Sequence, residues 1–165
     1  MLQSYLLLSR LQCGLLLAAV LVMLSLAPHP ARAAGDDLRR IDSALGFEQQ
    51  LERLVAAVDA NRMIVVASAS ASQGAASRGI RISSNLVLMV FRNDYAVRML
   101  DASIAAGIEA PLRFYLTENA DGTSSLSWAT PSSTFAPYGS PALDAMAREL
   151  DGIFEAIARD ATHTD

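Results

Sequence analysis

Between residues 34 and 162 the chain has no cysteine, no histidine and no lysine. Its single cysteine, Cys13, lies near the N-terminus, its two histidines are His29 and His163, and all thirteen basic residues are arginines. Without thiols, imidazoles or amines, the central segment cannot use thiolate or Schiff-base chemistry, imidazole acid/base catalysis or a cysteine/histidine zinc site. Disulfides are excluded as well, so stability has to come from a hydrophobic core. We expect no metal and no cofactor.

The N-terminus reads as a secretory signal. Arg10 supplies a positive charge, Leu15 to Ala27 is an uncharged apolar run, Pro28 and Pro30 interrupt it, and Ala31-Arg32-Ala33 offers small residues to a signal peptidase. Cleavage is expected after Ala33, with Ala34 as the alternative. The run is shorter than the ~20 residues of a permanent membrane span. An uncleaved helix anchored in the inner membrane is the rival reading. Cys13 precedes the apolar run, so it is not placed as an acylation site, and Arg39-Arg40 follow the run, the wrong side for twin-arginine export. The expected location is periplasmic or secreted, with no membrane contact after cleavage.

Removing 33 residues leaves eleven arginines against seventeen carboxylates, a net charge of −6. With no basic cluster, such a chain is a poor match for nucleic acid or anionic lipid. The expected organisation is a signal peptide over 1–33, a lead-in over 34–46, one α+β domain over 47–160 and a short tail over 161–165.

Phe47, Leu51, Leu54, Val55 and Val58 form one helical stripe, with Glu48, Gln49, Gln50, Glu52 and Arg53 on the other side. Met63 to Val66 reads as a strand. Residues 67–78, rich in Ala and Ser, read as a loop or a short helix. Gly74 and Gly79 have the outer spacing of a phosphate loop, but Ile80 and Arg81 stand where that motif needs Lys and Ser/Thr. Leu86 to Phe91 is continuously apolar, which predicts a central strand buried on both faces, Met89 included. Asn93 or Asp94 can cap a helix beginning near Tyr95. Residues 112–118 and 124–129 alternate around an Asp121-Gly122 turn and predict a hairpin. Residues 131–138 look irregular. Ser140 and Pro141 open a last helix whose stripe runs through Leu143, Met146, Leu150, Ile153, Phe154 and Ile157. The expected fold is a two-layer α+β sandwich: a mainly antiparallel sheet of four or five strands, the fifth near 37–42, covered by three helices. The strand–helix–strand passages leave a parallel sheet as an alternative outside the hairpin.

The helix FEQQLERLVAAVDAN before a strand, the junction NLVLMVFRNDYAVRML, the hairpin APLRFYLTENADGTSSLSWATP and the helix PALDAMARELDGIFEAIA together resemble the family called domain of unknown function 302. The resemblance spans about Phe47 to Ala158. It implies a small α+β fold and frequent pairing into homodimers, with no established activity. The family usually reads Asn-Pro where this chain has Asn93-Asp94. It also commonly carries a histidine after its second strand, and residues 67–72 contain none. A role resting on that histidine does not carry over.

Two places are candidate ligand sites. Arg92, Asn93 and Asp94 stand where a strand meets a helix N-terminus, which favours an anion; the bland reading is that Asn93 and Asp94 only cap the helix. Arg113 and Tyr115 share one face of a strand, and with Trp128 nearby across the hairpin they could form a polar-aromatic surface for a small anionic ligand or a second copy, or be ordinary exposed residues. Trp128, sharing a face with Leu126, is expected in the core. Ser68, Ser70, Ser72 and Ser77 lack an activating base, and Glu118, Asp121, Asp144, Glu149, Asp151 and Glu155 read as solvated, so no catalytic residue is assigned. The expected function is a non-catalytic binding or assembly module, a homodimer. The alternative is a hydrolase or lyase using carboxylates and arginines in a groove of the sheet.

Overall fold

The structure is a computed structural model and describes residues 37–163. The expected signal peptide, its apolar run and the cleavage positions Ala33 and Ala34 lie outside the described residues. Within them, no helix is long and apolar enough to cross a membrane.

Five strands form one sheet in the order β1-β5-β4-β3-β2: β1 (Leu38–Ser43), β2 (Ile64–Ala69), β3 (Asn85–Phe91), β4 (Leu112–Glu118) and β5 (Ser124–Ala129). Every ladder is antiparallel, which removes the parallel alternative. Among the described residues the three long helices are α1 (Phe47–Ala60), α3 (Asn93–Ala102) and α5 (Pro141–Thr162); α2 (Ala71–Ala76) and α4 (Pro131–Phe135) are short.

Hairpin β4–β5 follows from its turn. Asn119 and Thr123 close it through Asn119 N–H to the Thr123 carbonyl at 2.8 Å, and Gly122 takes φ +83°, a conformation open to glycine. The weak lead-in becomes β1 by pairing with β5 from Leu38↔Ala129 to Ser43↔Ser124. Cross-strand bonds support it: Arg40 Nη2 donates to Ser125 Oγ at 2.8 Å, and Ser125 Oγ donates to Asp42 Oδ1 at 2.7 Å. Charged residues suit an edge strand, because they deter further pairing.

Helix α1 ends in a C-terminal lock. Arg62 N–H bonds the Asp59 carbonyl and Met63 N–H the Val58 carbonyl, while Arg62 takes φ 60°, a left-handed position usually given to glycine. Val58 and Met63 both enter the core. The open choice at residues 67–78 resolves as a short helix, α2, whose Ser70 Oγ accepts from Gln73 N–H at 3.1 Å. The region expected to be irregular starts with α4, where Pro131 occupies the first turn and Thr130 Oγ1 accepts from Ser133 N–H at 3.3 Å.

Three expectations need correction. Gln50, placed on the wet side of α1, is fully buried and donates Nε2–H to the Ala161 carbonyl at 2.8 Å, whereas Val55 is 43% exposed. The stripe that counts is Gln50, Leu54, Ala57 and Val58, rotated because α1 packs on α5 as well as on the sheet. Next, β3 is not buried on both faces. Leu86, Leu88 and Val90 are buried while Val87, Met89 and Phe91 are only half-buried, because the long helices cover one face of the sheet alone. Finally, neither Asn93 nor Asp94 caps α3. The helix begins at Asn93, and Arg92 holds the cap position without a side-chain capping bond.

The core falls into two clusters. Beneath the sheet, Leu88, Leu116, Leu126 and Trp128 meet Phe114, whose ring stacks on Phe154 with centroids 4.7 Å apart. Beside it, Tyr95, Met99, Phe135, Leu143, Met146 and Leu150 join α3, α4 and α5. Among the described residues, no long helix packs on the other face of the sheet.

Candidate functional site

The structure separates the two sequence-derived candidates. At the β3–α3 junction, Arg92 is taken up by its own neighbours: Nε donates to Asp94 Oδ1 at 2.8 Å and Nη2 to Oδ2 at 3.1 Å, and the guanidinium lies 4.2 Å from the centre of the Tyr95 ring. Arg92 holds the Asp94 carboxyl below its ordinary range. Asn93 is exposed at the first helical position. Close by, Arg98 grips Glu149 with two bonds of 2.8 Å, and the Tyr95 hydroxyl donates to the same carboxylate at 3.2 Å. The Arg98 bonds bring the Glu149 pKa down to about 2. Under Arg92 lies an apolar cavity of about 30 Å³, room for roughly one or two waters. An anion arriving at this junction would compete with Asp94 for Arg92.

Arg113 and Tyr115 stand on the open face of the sheet, as alternation requires. Both are exposed, and among the described residues neither side chain has a hydrogen-bond or ion-pair partner. Register carries the face outward from them: Val87 lies opposite Tyr115, Met89 opposite Arg113, and Ala69 and Ala67 follow on β2. On the other side come Ser127, which faces Tyr115 from β5, and then Arg40 on β1, which faces Ser127.

The ladder between β4 and β5 stops early. It runs from Glu118↔Ser124 to Tyr115↔Ser127 and ends there, although the flanking ladders continue to Val90↔Leu112 and Leu38↔Ala129. Where it stops, a groove of about 530 Å³ opens, with Arg113, Tyr115, Arg40 and Ser127 over a wall that includes Leu112 and Trp128. Trp128 is only 4% exposed, and among the described residues its Nε1–H has no hydrogen-bond partner. Buried donors are seldom left so, because an unmade bond costs about 1–3 kcal/mol.

Sequence reasoning missed Arg40 as a groove residue, while Trp128, weighed beside Arg113 and Tyr115 and expected in the core, is in the core and borders the groove. The alternation of β1 groups Leu38, Arg40 and Asp42, but only the strand order β1-β5-β4 brings Arg40 near Arg113. Elsewhere, several carboxylates are occupied structurally. Glu118 accepts from Ser84 N–H at 2.9 Å and Asp121 from Thr123, and these bonds lower both pKa values; Asp151 accepts from Ser132 N–H at 2.9 Å. Asp42 is lowered by Ser125, then by Arg40. Among the described residues no three acidic or histidine side chains converge as a metal site would need.

The fold has a solved counterpart. A protein of Bacillus stearothermophilus, described as an uncharacterized conserved protein DUF302, superposes with a TM-score of 0.70 at 19% sequence identity, over 77% of this chain and 98% of that one. No curated protein sequence is significantly similar to this chain. The profile of the family described as "Domain of unknown function DUF302" matches residues 39–159, nearly the whole of the described sheet and helices, and the chain belongs to that family.

Proposed function

We propose that the protein is an exported, non-catalytic assembly module whose open sheet face is covered by a second copy of the chain. Export is argued from the N-terminal charge, apolar run and small residues near Ala33 and Ala34. Pairing is argued from one observation: the half of the open face formed by β2, β3 and β4 presents Ala67, Ala69, Val87, Met89 and Tyr115 to solvent. A two-fold pair can match such a patch to itself, and the polar β1–β5 half then forms part of a rim. The alternative of a carboxylate-based hydrolase or lyase gains nothing comparable. Each carboxylate with a displaced pKa is displaced downward by a bonding partner, opposite to what a general acid needs near neutral pH.

Sedimentation equilibrium of the purified protein tests the reading. A dimer is expected, with Val87→Asp converting it to a folded monomer. Ile104→Asp is the control, because Ile104 is 84% exposed on the helical side of the molecule. A monomeric wild type, or a dimer broken by Ile104→Asp and not by Val87→Asp, overturns this reading.

A further inference from the structure

We infer that the groove at the β4–β5 opening binds a small amphipathic organic carboxylate. This goes beyond assembly: the groove shares Val87 and Tyr115 with the proposed dimer patch and extends from them toward β1 and β5, where the pairing reading assigns no role. Three independent features carry it.

The first is charge. The chain has seventeen carboxylates and a net charge of −4, yet no Asp or Glu lines this groove, which has two arginines. Arg40 is bound to Asp42 at 2.8 Å and sits at the rim. Arg113 has no partner among the described residues, so its planar fork is free to take a carboxylate through two bonds.

The second is the wall. Leu38, Val87, Leu112 and Ala129 give the groove an apolar lining beside its donors, and its volume of about 530 Å³ lies within the usual range for small-molecule sites. A bare inorganic anion would satisfy Arg113 and leave that lining in water. A carboxylate with a hydrocarbon body fills both.

The third is a pair of neutral donors. The Tyr115 and Ser127 hydroxyls line the groove beside Arg113, and neither has a hydrogen-bond partner among the described residues. Both can donate to an acceptor oxygen brought to Arg113. Trp128 borders the groove from the covered side of the sheet.

Trp128 is also the chain's one tryptophan, so its emission reports on the groove. The test is titration of the purified protein with octanoate, followed by tryptophan fluorescence and by calorimetry. We expect saturable binding that Arg113→Gln weakens about tenfold or more, the loss expected when a charge-assisted bidentate pair is removed. Arg148→Gln, an exposed arginine on α5, should leave affinity unchanged. Octanol, which lacks the charge, and acetate, which lacks the body, should not saturate where octanoate does. No saturable octanoate signal by either method overturns the inference. So does equal binding of octanol or acetate, or undiminished affinity in Arg113→Gln. Sedimentation of the same samples reads the dimer separately, so a failure of assembly and a failure of the groove are distinguishable.

Discussion

Phe114 and Tyr115 are neighbours in one strand and live in different worlds. Phe114 is fully buried against Phe154 and Trp128, while Tyr115 is 42% exposed on a face that, among the described residues, no helix of the core covers. The same step separates Leu88, 3% exposed, from half-buried Met89. The covered face is closed by α1 and α5 through long aliphatic and aromatic contacts. The open face has Arg40, Asp42, Arg113, Thr117 and Ser127 interleaved with Val87, Met89 and Tyr115. A continuous apolar run in a strand therefore shows that both faces tolerate apolar residues; it does not say that both are covered by the same chain.

The largest expected effect breaks this comparison at its centre. Leu88→Asp would bury an unpaired carboxylate under the helices, a cost of several kcal/mol against a total stability on the order of 5–15 kcal/mol. Met89→Asp, one residue along, would lie opposite Arg113 across the ladder and should cost only about 1 kcal/mol, though under the assembly reading it should also dissociate the dimer. Urea unfolding of the two variants, each also examined by sedimentation, checks both statements. Equal destabilisation would mean that the two faces of β3 are alike.

An intermediate effect belongs to the surface ion pairs on the helical side. Arg98 depresses the Glu149 pKa from the ordinary 4.5 to about 2. Because the folded value lies below the unfolded one, the contribution is present above about 4.5 and is lost as pH falls toward 2. Both side chains are about half exposed, so solvent and salt moderate it. Glu149→Gln should flatten the acid limb of a stability–pH curve in that window and leave the neutral region little changed. A variant with the full wild-type acid slope would show that the pair does not contribute.

Smallest of all should be Glu155→Ala. Glu155 is exposed on α5 next to Phe154, and its removal should shift urea stability by no more than about 0.5 kcal/mol. A larger loss would place a hidden contact on the outer face of that helix.

Much of the fold was legible because local patterns encode it: the Asp-Gly turn of the hairpin, the Ser140-Pro141 start of α5, and the stripe of α5 from Leu143 to Ile157. Gln50 was not legible, since its amide becomes useful only when the end of α5 arrives with the Ala161 carbonyl. The site was half legible. Arg113 and Tyr115 follow from alternation within β4, but Arg40 stands 73 positions before Arg113 and joins it only through β5. Arg92 was legible as a position and not as a partner, because its bonds to Asp94 and its stacking on Tyr95 depend on the side-chain geometry of the junction.

By itself, then, the sequence determined which side chains share a face within each strand or helix, and which chemistries the central segment lacks. Both are consequences of periodicity and composition, which any short stretch of chain carries. Tertiary structure decided which face receives the helices, where the β4–β5 ladder stops, and which donors are left without acceptors. Those outcomes depend on contacts between residues far apart in the chain, and no local repeat can record which distant surface will arrive to cover a given face.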